Sequence, residues 1–184
     1  MTLSLRAAAL AVLALGAMAE SAIAGEPLAR HRCEILSRLT RIHEAGPRDT
    51  SYDRFIAVEL HGRPQSYVQC IFLPSDTRML CEASSGAYRF RPEDGLRLRQ
   101  SEESIAALKA LGFVRKDVAR NFDEAKNFER EVELGTPPDL GAVADLILAA
   151  LSRGYAAEPN SRLDITAPKA KGFDGRCNPL AALK

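Results

Sequence analysis

Residues 66–90 read SYVQCIFLPSDTRMLCEASSGAYRF, in which two β-rich runs flank the turn signal Pro74-Ser75-Asp76. This pattern predicts a β-hairpin. With the turn at Ser75-Asp76, three residue pairs face each other: Val68 with Ala83, Cys70 with Cys81, and Phe72 with Met79. Side chains alternate along a strand, so these six residues share one face. That face is apolar, which predicts that it covers a core.

The turn itself leaves an alternative open. Pro74 has no N–H, so it cannot donate the hydrogen bond that closes a two-residue loop. A longer loop would remove this difficulty. A slip of one residue in the pairing would instead exchange the two faces of the hairpin.

The opposite face of the hairpin carries a mixture of aromatic, aliphatic and charged residues. Together with a strand predicted over residues 52–61, it presents Phe55, Glu59, Tyr67, Ile71, Leu80 and Glu82. An uncovered sheet face of this composition is typical of a partner-binding site. The alternative is an ordinary half-solvated sheet face with scattered apolar residues.

Helical periodicity predicts three helices around these strands. The first covers residues 27–43 and the second begins at the N-cap Ser101 and ends at Gly112. The third follows Thr136-Pro137-Pro138-Asp139. Its predicted buried stripe consists of Leu140, Val143, Ala144, Ile147, Leu148, Leu151 and Tyr155.

Residues 113–134 suit either a helix or a hairpin. Glu129, Glu131 and Glu133 alternate strictly with the residues between them, which favours a hairpin of residues 113–122 and 127–134. The element order is therefore α-βββ-α-ββ-α. It predicts a two-layer α+β domain with an antiparallel sheet of about five strands and three helices on one face.

The N-terminus has the features of a signal peptide: Arg6, an apolar run over residues 7–19, and Ala22-Ile23-Ala24 before Gly25. The predicted organisation is a signal peptide over 1–24, the domain over 25–155, and a tail over 156–184. A membrane anchor is the alternative, but the apolar run is shorter than a spanning helix requires. The expected location is periplasmic or extracellular, without stable membrane insertion.

The charges are nearly balanced, with 25 Lys and Arg against 24 Asp and Glu, for a net charge of +1. This balance gives no global field to attract nucleic acid. No stretch of interleaved basic and aromatic residues indicates nucleic-acid binding either. The tail is locally basic through Lys169, Lys171, Arg176 and Lys184, which indicates a solvated segment.

The four cysteines of an exported chain suggest two disulfides. Three pairings exist, and Cys33–Cys177 with Cys70–Cys81 is favoured. The hairpin register makes Cys70 and Cys81 a hydrogen-bonded pair, with Cα atoms about 5.5 Å apart. Free cysteines acting as small core residues are the alternative.

No constellation of residues indicates catalysis, a metal or a cofactor. The histidines His31, His43 and His61 are too few and too dispersed for a zinc site. Ser84-Ser85-Gly86 lacks the surroundings of a serine nucleophile and indicates a turn or bulge. A small hydrolase would need one of the histidines beside a carboxylate at the floor of a pocket.

Several short motifs carry a family resemblance. They are Tyr67-Val68-Gln69, the run from Cys81 to Tyr88, Leu108 with Leu111-Gly112-Phe113, Asn127-Phe128, and the helix over 143–151. Over residues 52–155 the chain resembles the YbjN-like branch of the type III secretion chaperone-like (TY-Chap) superfamily. The resemblance implies an α+β domain that binds peptides or proteins, often as a dimer, with no catalytic residues to carry over.

The chain departs from the family pattern in its signal peptide, its four cysteines and its tail. The expected function is therefore an exported, non-catalytic protein- or peptide-binding domain, chaperone-like or regulatory. A small periplasmic hydrolase and a structural envelope protein without a discrete ligand are the alternatives.

Overall fold

A computed structural model describes residues 28–86, 100–115, 127–158 and 160–173. The predicted signal peptide lies outside these residues. The three helices are α1 (Ala29–Glu44), α2 (Glu102–Ala110) and α3 (Leu140–Ala149), and α3 runs on into a π-helical turn (Ala150–Gly154). The five strands are β1 (Phe55–Leu60), β2 (Tyr67–Phe72), β3 (Arg78–Ala83), β4 (Phe128–Glu133) and β5 (Leu163–Thr166).

The strands form one antiparallel sheet in the order β4-β3-β2-β1-β5. The predicted α+β class, with three helices and a five-stranded antiparallel sheet, is confirmed. Of the hairpin predicted over residues 113–134, the second strand is β4. Val114 exchanges two backbone hydrogen bonds with Glu129, as the first strand would require, and residues 116–126 lie outside the described residues.

The fifth strand of the described sheet comes from the segment predicted as a tail. In β5, Leu163 and Ile165 alternate with Asp164 and Thr166, and the strand pairs with β1. The segment after β5 is hydrogen-bonded to α1. Arg38 donates to the carbonyl of Ala170 and Arg41 donates to the carbonyl of Gly172, both at 2.8 Å. The folded domain therefore extends beyond residue 155.

The hairpin register is confirmed: Val68, Cys70 and Phe72 face the residues expected of them. The loop, however, has four residues, because Leu73 N–H donates to the Arg78 carbonyl. This moves the hydrogen-bonded positions by one residue, so the predicted pair type was wrong. Cys70 and Cys81 form a non-hydrogen-bonded pair, in which side chains lie closer together. Their Cα atoms are 4.0 Å apart and the disulfide is formed.

One face of the sheet forms the core with the helices. It contributes the alternate residues of the strands, including the buried Ile56, Val58, Cys70 and Phe72. All seven residues of the stripe predicted for α3 and its continuation are buried. The side chain of Asp139 begins α3 by accepting a hydrogen bond from the Ala142 N–H at 2.9 Å.

A buried ion pair joins α1, β1 and the hairpin loop. The Arg54 guanidinium donates to both carboxylate oxygens of Asp76, at 2.5 and 2.6 Å, and both side chains are almost fully buried. Arg54 also lies over the Phe72 ring, with 5.3 Å from Cζ to the ring centroid. Asp76 has a φ of 59°, a left-handed conformation that aspartate tolerates in turns.

Two further predictions concern the Cys33–Cys177 disulfide and the absence of stable membrane insertion. Cys33 is not a free cysteine, and its predicted partner Cys177 lies outside the described residues. Among the helices in the described part of the chain, none is both long enough and apolar enough to cross a bilayer.

Candidate partner-binding face

The second face of the sheet carries the six residues predicted as a binding site. We call this surface the open face. It consists of Phe55, Ala57, Glu59, Tyr67, Gln69, Ile71, Arg78, Leu80, Glu82, Glu129, Glu131, Glu133, Asp164 and Thr166. Strand alternation places them opposite the core, and the apolar residues of all three helices belong to the core cluster. The residues at its centre are half-buried.

An apolar row crosses the middle of the open face. Ile71 on β2 lies opposite Phe55 on β1 and opposite Leu80 on β3. Tyr67 and Glu59 face each other further along β1 and β2. The structure therefore brings the predicted residues together on neighbouring strands, as the hairpin register and the alternation required.

Six carboxylates share the open face with this row, and those on β3 and β4 lie nearest to it. The six are Glu59, Glu82, Glu129, Glu131, Glu133 and Asp164. The outer ones are well exposed, with 53% of the Glu131 side chain and 78% of the Glu133 side chain accessible. Arg78 pairs with Glu131 at 2.6 Å at the β3–β4 edge. The Arg78 guanidinium also lies 4.0 Å from a carboxylate oxygen of Glu133.

Glu82 is the carboxylate closest to the centre. Burial raises the pKa of its side chain above the ordinary value, and the charge of Glu129, directly opposite on β4, raises that pKa further. Both causes penalise the ionised form. The open face therefore holds a negative charge that its own surroundings disfavour and that a cation from a partner would favour.

A shallow depression of about 310 Å³ lies beside the apolar row. Its lining residues are Ala57, Glu59, Gln65, Tyr67, Gln69, Asp164 and Thr166. Two of the predicted site residues, Glu59 and Tyr67, therefore line a concave surface. Two of its polar lining residues, Asp164 and Thr166, come from β5, which lies in the segment predicted as a tail.

A polar network fixes the end of the open face nearest Tyr67. The Asn127 side chain donates to the Tyr67 hydroxyl at 3.0 Å and accepts from the Ser85 N–H at 3.2 Å. The Tyr155 hydroxyl donates to the Ser84 carbonyl at 2.8 Å. Burial raises the pKa of Tyr155 far above its ordinary value, so this hydroxyl stays a neutral donor.

This network gives Ser84 and Ser85 a structural role. Both residues are buried, and the Ser84 hydroxyl donates to the Gln65 side chain at 3.1 Å. Sequence reasoning treated Ser84-Ser85 as a turn and did not anticipate the network, because its members are far apart in the chain. Asn127, directly before β4, was the available signal, because the side-chain amide of a buried asparagine requires hydrogen-bond partners.

The three histidines do not form a common site. His43 packs against Phe72, with ring centroids 5.8 Å apart. His61 Nδ1 lies 2.9 Å from an Asp164 oxygen, but 48% of the His61 side chain and 57% of the Asp164 side chain are exposed. Both side chains of this pair are therefore well exposed, although Asp164 also lines the depression. Within the described ranges no cluster of three metal-ligating residues occurs.

Comparisons with protein-family models, with curated proteins and with solved structures find no match to this chain. The resemblance to the YbjN-like branch of the TY-Chap superfamily therefore stays a prediction. What remains for assigning a function is the geometry and charge of the open face.

Proposed function

We propose that this protein is a non-catalytic protein- or peptide-binding domain and that the open face contacts the partner. The observation that carries the proposal is the apolar row Phe55–Ile71–Leu80, which lies on the sheet face opposite the helices. Apolar groups at the centre and charged groups at the rim are the usual arrangement of a protein interface. The resemblance to a superfamily of peptide-binding domains supports the same function.

We further propose that the protein acts in the periplasm or outside the cell. The signal-peptide pattern before Gly25 supports export. The buried Cys70–Cys81 disulfide supports an oxidising compartment, where such bonds persist. The intact mass of the protein from the periplasmic fraction tests the proposal. A chain beginning at Gly25 is expected, and a chain retaining residues 1–24 in the cytosolic fraction would refute it.

The binding function is tested by affinity capture from periplasmic extract. The bait is the oxidised mature protein, beside an Ile71→Ala, Leu80→Ala double variant. A Tyr52→Ala variant is the control, because Tyr52 is an exposed aromatic residue outside the five strands, 76% accessible. Circular dichroism and thermal unfolding establish that each bait is folded.

We expect the wild-type and control baits to retain a protein that the open-face variant loses. Mass spectrometry identifies that protein, and its binding is then measured again with purified components. Equal retention by all three baits would show that the open face is not the binding surface. A self-associating bait, detected by sedimentation, would identify a second copy of the chain as the partner, as the resemblance to dimeric relatives implies.

A further inference from the structure

The near-neutral net charge of the chain conceals a local excess of carboxylates on the open face. Among the described residues, the open face carries six carboxylates and one guanidinium, and that guanidinium, of Arg78, is paired with Glu131. On the helical side, by contrast, Arg32 and Arg38 of α1 are paired with the carboxylates of Asp145 and Glu34. The open face is thus strongly acidic within a chain of net charge +1.

The carboxylates lie within reach of a cation that flanks an apolar contact. Neighbouring strands are about 4.8 Å apart, and residues two apart on a strand are separated by about 7 Å. Glu131 extends the apolar row directly beyond Leu80, while Glu82 lies two residues from Leu80 on β3. In an extended ligand, an apolar side chain can occupy the apolar row while a Lys or Arg two residues away, on the same face, reaches such a carboxylate.

The same charges argue against a second copy docking by its open face. A twofold interface brings the same patch of each subunit together. Two open faces would then oppose carboxylate with carboxylate, which costs free energy unless the charges are neutralised. An acidic peptide and a nucleic acid are disfavoured for the same reason.

We propose that the partner is a cationic amphipathic peptide segment in which Lys or Arg and apolar side chains occupy the same face of an extended chain. Its apolar side chains contact Phe55, Ile71 and Leu80, and its cations pair with the surrounding carboxylates, Glu82 and Glu131 among them. This inference rests on the proposed function, because it names the class of ligand that the open face binds. The acidic rim adds charge selectivity to the apolar contact.

The experiment measures the fluorescence anisotropy of labelled peptides with the mature protein. Three peptides of equal length are compared, each with Ser at every second position so that the other side chains share one face. They are repeats of Leu-Ser-Lys-Ser (the Lys/Leu peptide), of Leu-Ser-Glu-Ser (the Glu/Leu peptide) and of Ser-Ser-Lys-Ser (the Lys/Ser peptide). We expect the Lys/Leu peptide to bind, and its affinity to fall as salt rises above about 0.15 M, where exposed charges are screened. The other two peptides are expected to bind at least tenfold more weakly.

Matched charge variants locate the contact. A Glu82→Gln, Glu131→Gln variant removes two carboxylates of the open face. Its affinity for the Lys/Leu peptide should be about three- to thirtyfold lower than that of the wild type. A Glu44→Gln, Glu102→Gln variant removes two exposed carboxylates from helix ends α1 and α2 and should leave the affinity unchanged. Equal weakening by both variants would overturn the proposal, since only net charge would then matter.

The outcomes separate this inference from the proposed function. If Lys/Leu and Glu/Leu peptides bind equally, and the Ile71→Ala, Leu80→Ala variant loses both, the open face binds peptides without charge selectivity. The inference then fails and the proposed function stands. If no peptide binds but affinity capture yields a partner through the open face, the inference about a cationic peptide fails and the proposed binding function stands. If neither assay shows binding through this surface, both fail.

Discussion

At the scale of single residues, the Arg54–Asp76 pair has the largest expected effect on stability. The carboxylate of Asp76 is about 1% exposed and accepts two hydrogen bonds from Arg54. Arg48 lies 3.4 Å from the same carboxylate at the surface. When one partner of a buried ion pair is removed, the other charge stays buried. Its desolvation penalty is then no longer offset by attraction to the partner.

Replacing Asp76 with asparagine, which tolerates the same left-handed φ, is therefore expected to lower the free energy of unfolding by about 3–5 kcal/mol. Urea denaturation measures this change. The control is Glu131→Gln, which removes an ion pair between side chains 53% and 46% exposed and should cost less than about 1 kcal/mol. An Arg54→Met, Asp76→Asn variant should recover much of the loss, and similar losses for the single and double variants would contradict this explanation.

Removing the Glu82 carboxylate, unlike removing that of Asp76, is expected to raise stability at neutral pH. The pKa of Glu82 is raised by burial and then by Glu129, from an ordinary value of 4.5. The folded state therefore binds this proton more tightly than the unfolded state, so stability falls as the pH rises through this range. Glu82→Gln should unfold at a higher temperature than the wild type at about pH 7 and lose that advantage near pH 3. A variant less stable at neutral pH would contradict the assignment.

The residues of the open face could be predicted from sequence, because strand alternation is a local rule. Once the hairpin register was placed, Tyr67, Ile71 and Leu80 had to share one face. The Arg54–Asp76 pair could not be predicted in this way. Its partners are separated by 22 residues, and their burial depends on how α1, β1 and the hairpin loop pack together.

At the scale of elements, the π-helical turn after α3 packs closely against α2. A Cβ atom added at Gly154 would lie 2.6 Å from Leu108 Cδ2 and 2.9 Å from Leu108 Cγ. Leu108 is fully buried, so its side chain has little room to move. The absence of a side chain at Gly154 is what allows the two elements to approach.

We expect Gly154→Ala to destabilise the protein by about 1–3 kcal/mol, as overpacking of a filled core does. Gly46→Ala is the matched control, because a Cβ at Gly46 would have no heavy atom within 4 Å. The control should change stability by less than about 0.5 kcal/mol. Thermal unfolding of the three proteins decides the matter, and equal melting temperatures would show that α2 can move aside.

Elements with a long periodic pattern were predictable, and those without one were not. The stripe of α3 extends over four turns, so its buried positions could be assigned from spacing alone. In β5, only Leu163 and Ile165 alternate, among polar neighbours and near prolines. Such a strand becomes recognisable through its pairing with β1, a long-range contact that local sequence does not contain.

At the scale of the whole molecule, the sheet separates two environments. The helices and the apolar strand residues enclose the core on one side, and the open face presents an apolar row among carboxylates on the other. Overall composition gave no sign of this separation, because the net charge of the chain is +1. The excess of negative charge on the open face follows from the strand register. The register places six carboxylates on one surface: Glu59, Glu82, Glu129, Glu131, Glu133 and Asp164.

The most direct test of the open face as the binding surface is methyl NMR of the mature protein titrated with the Lys/Leu peptide. The methyl groups of Ile71 and Leu80 report on the open face, and those of Leu39 and Ile147 report on the core beneath the helices. We expect saturable shifts at Ile71 and Leu80, with Leu39 and Ile147 nearly unchanged. Shifts confined to the helical side, with Ile71 and Leu80 unaffected at saturating peptide, would contradict the proposed function.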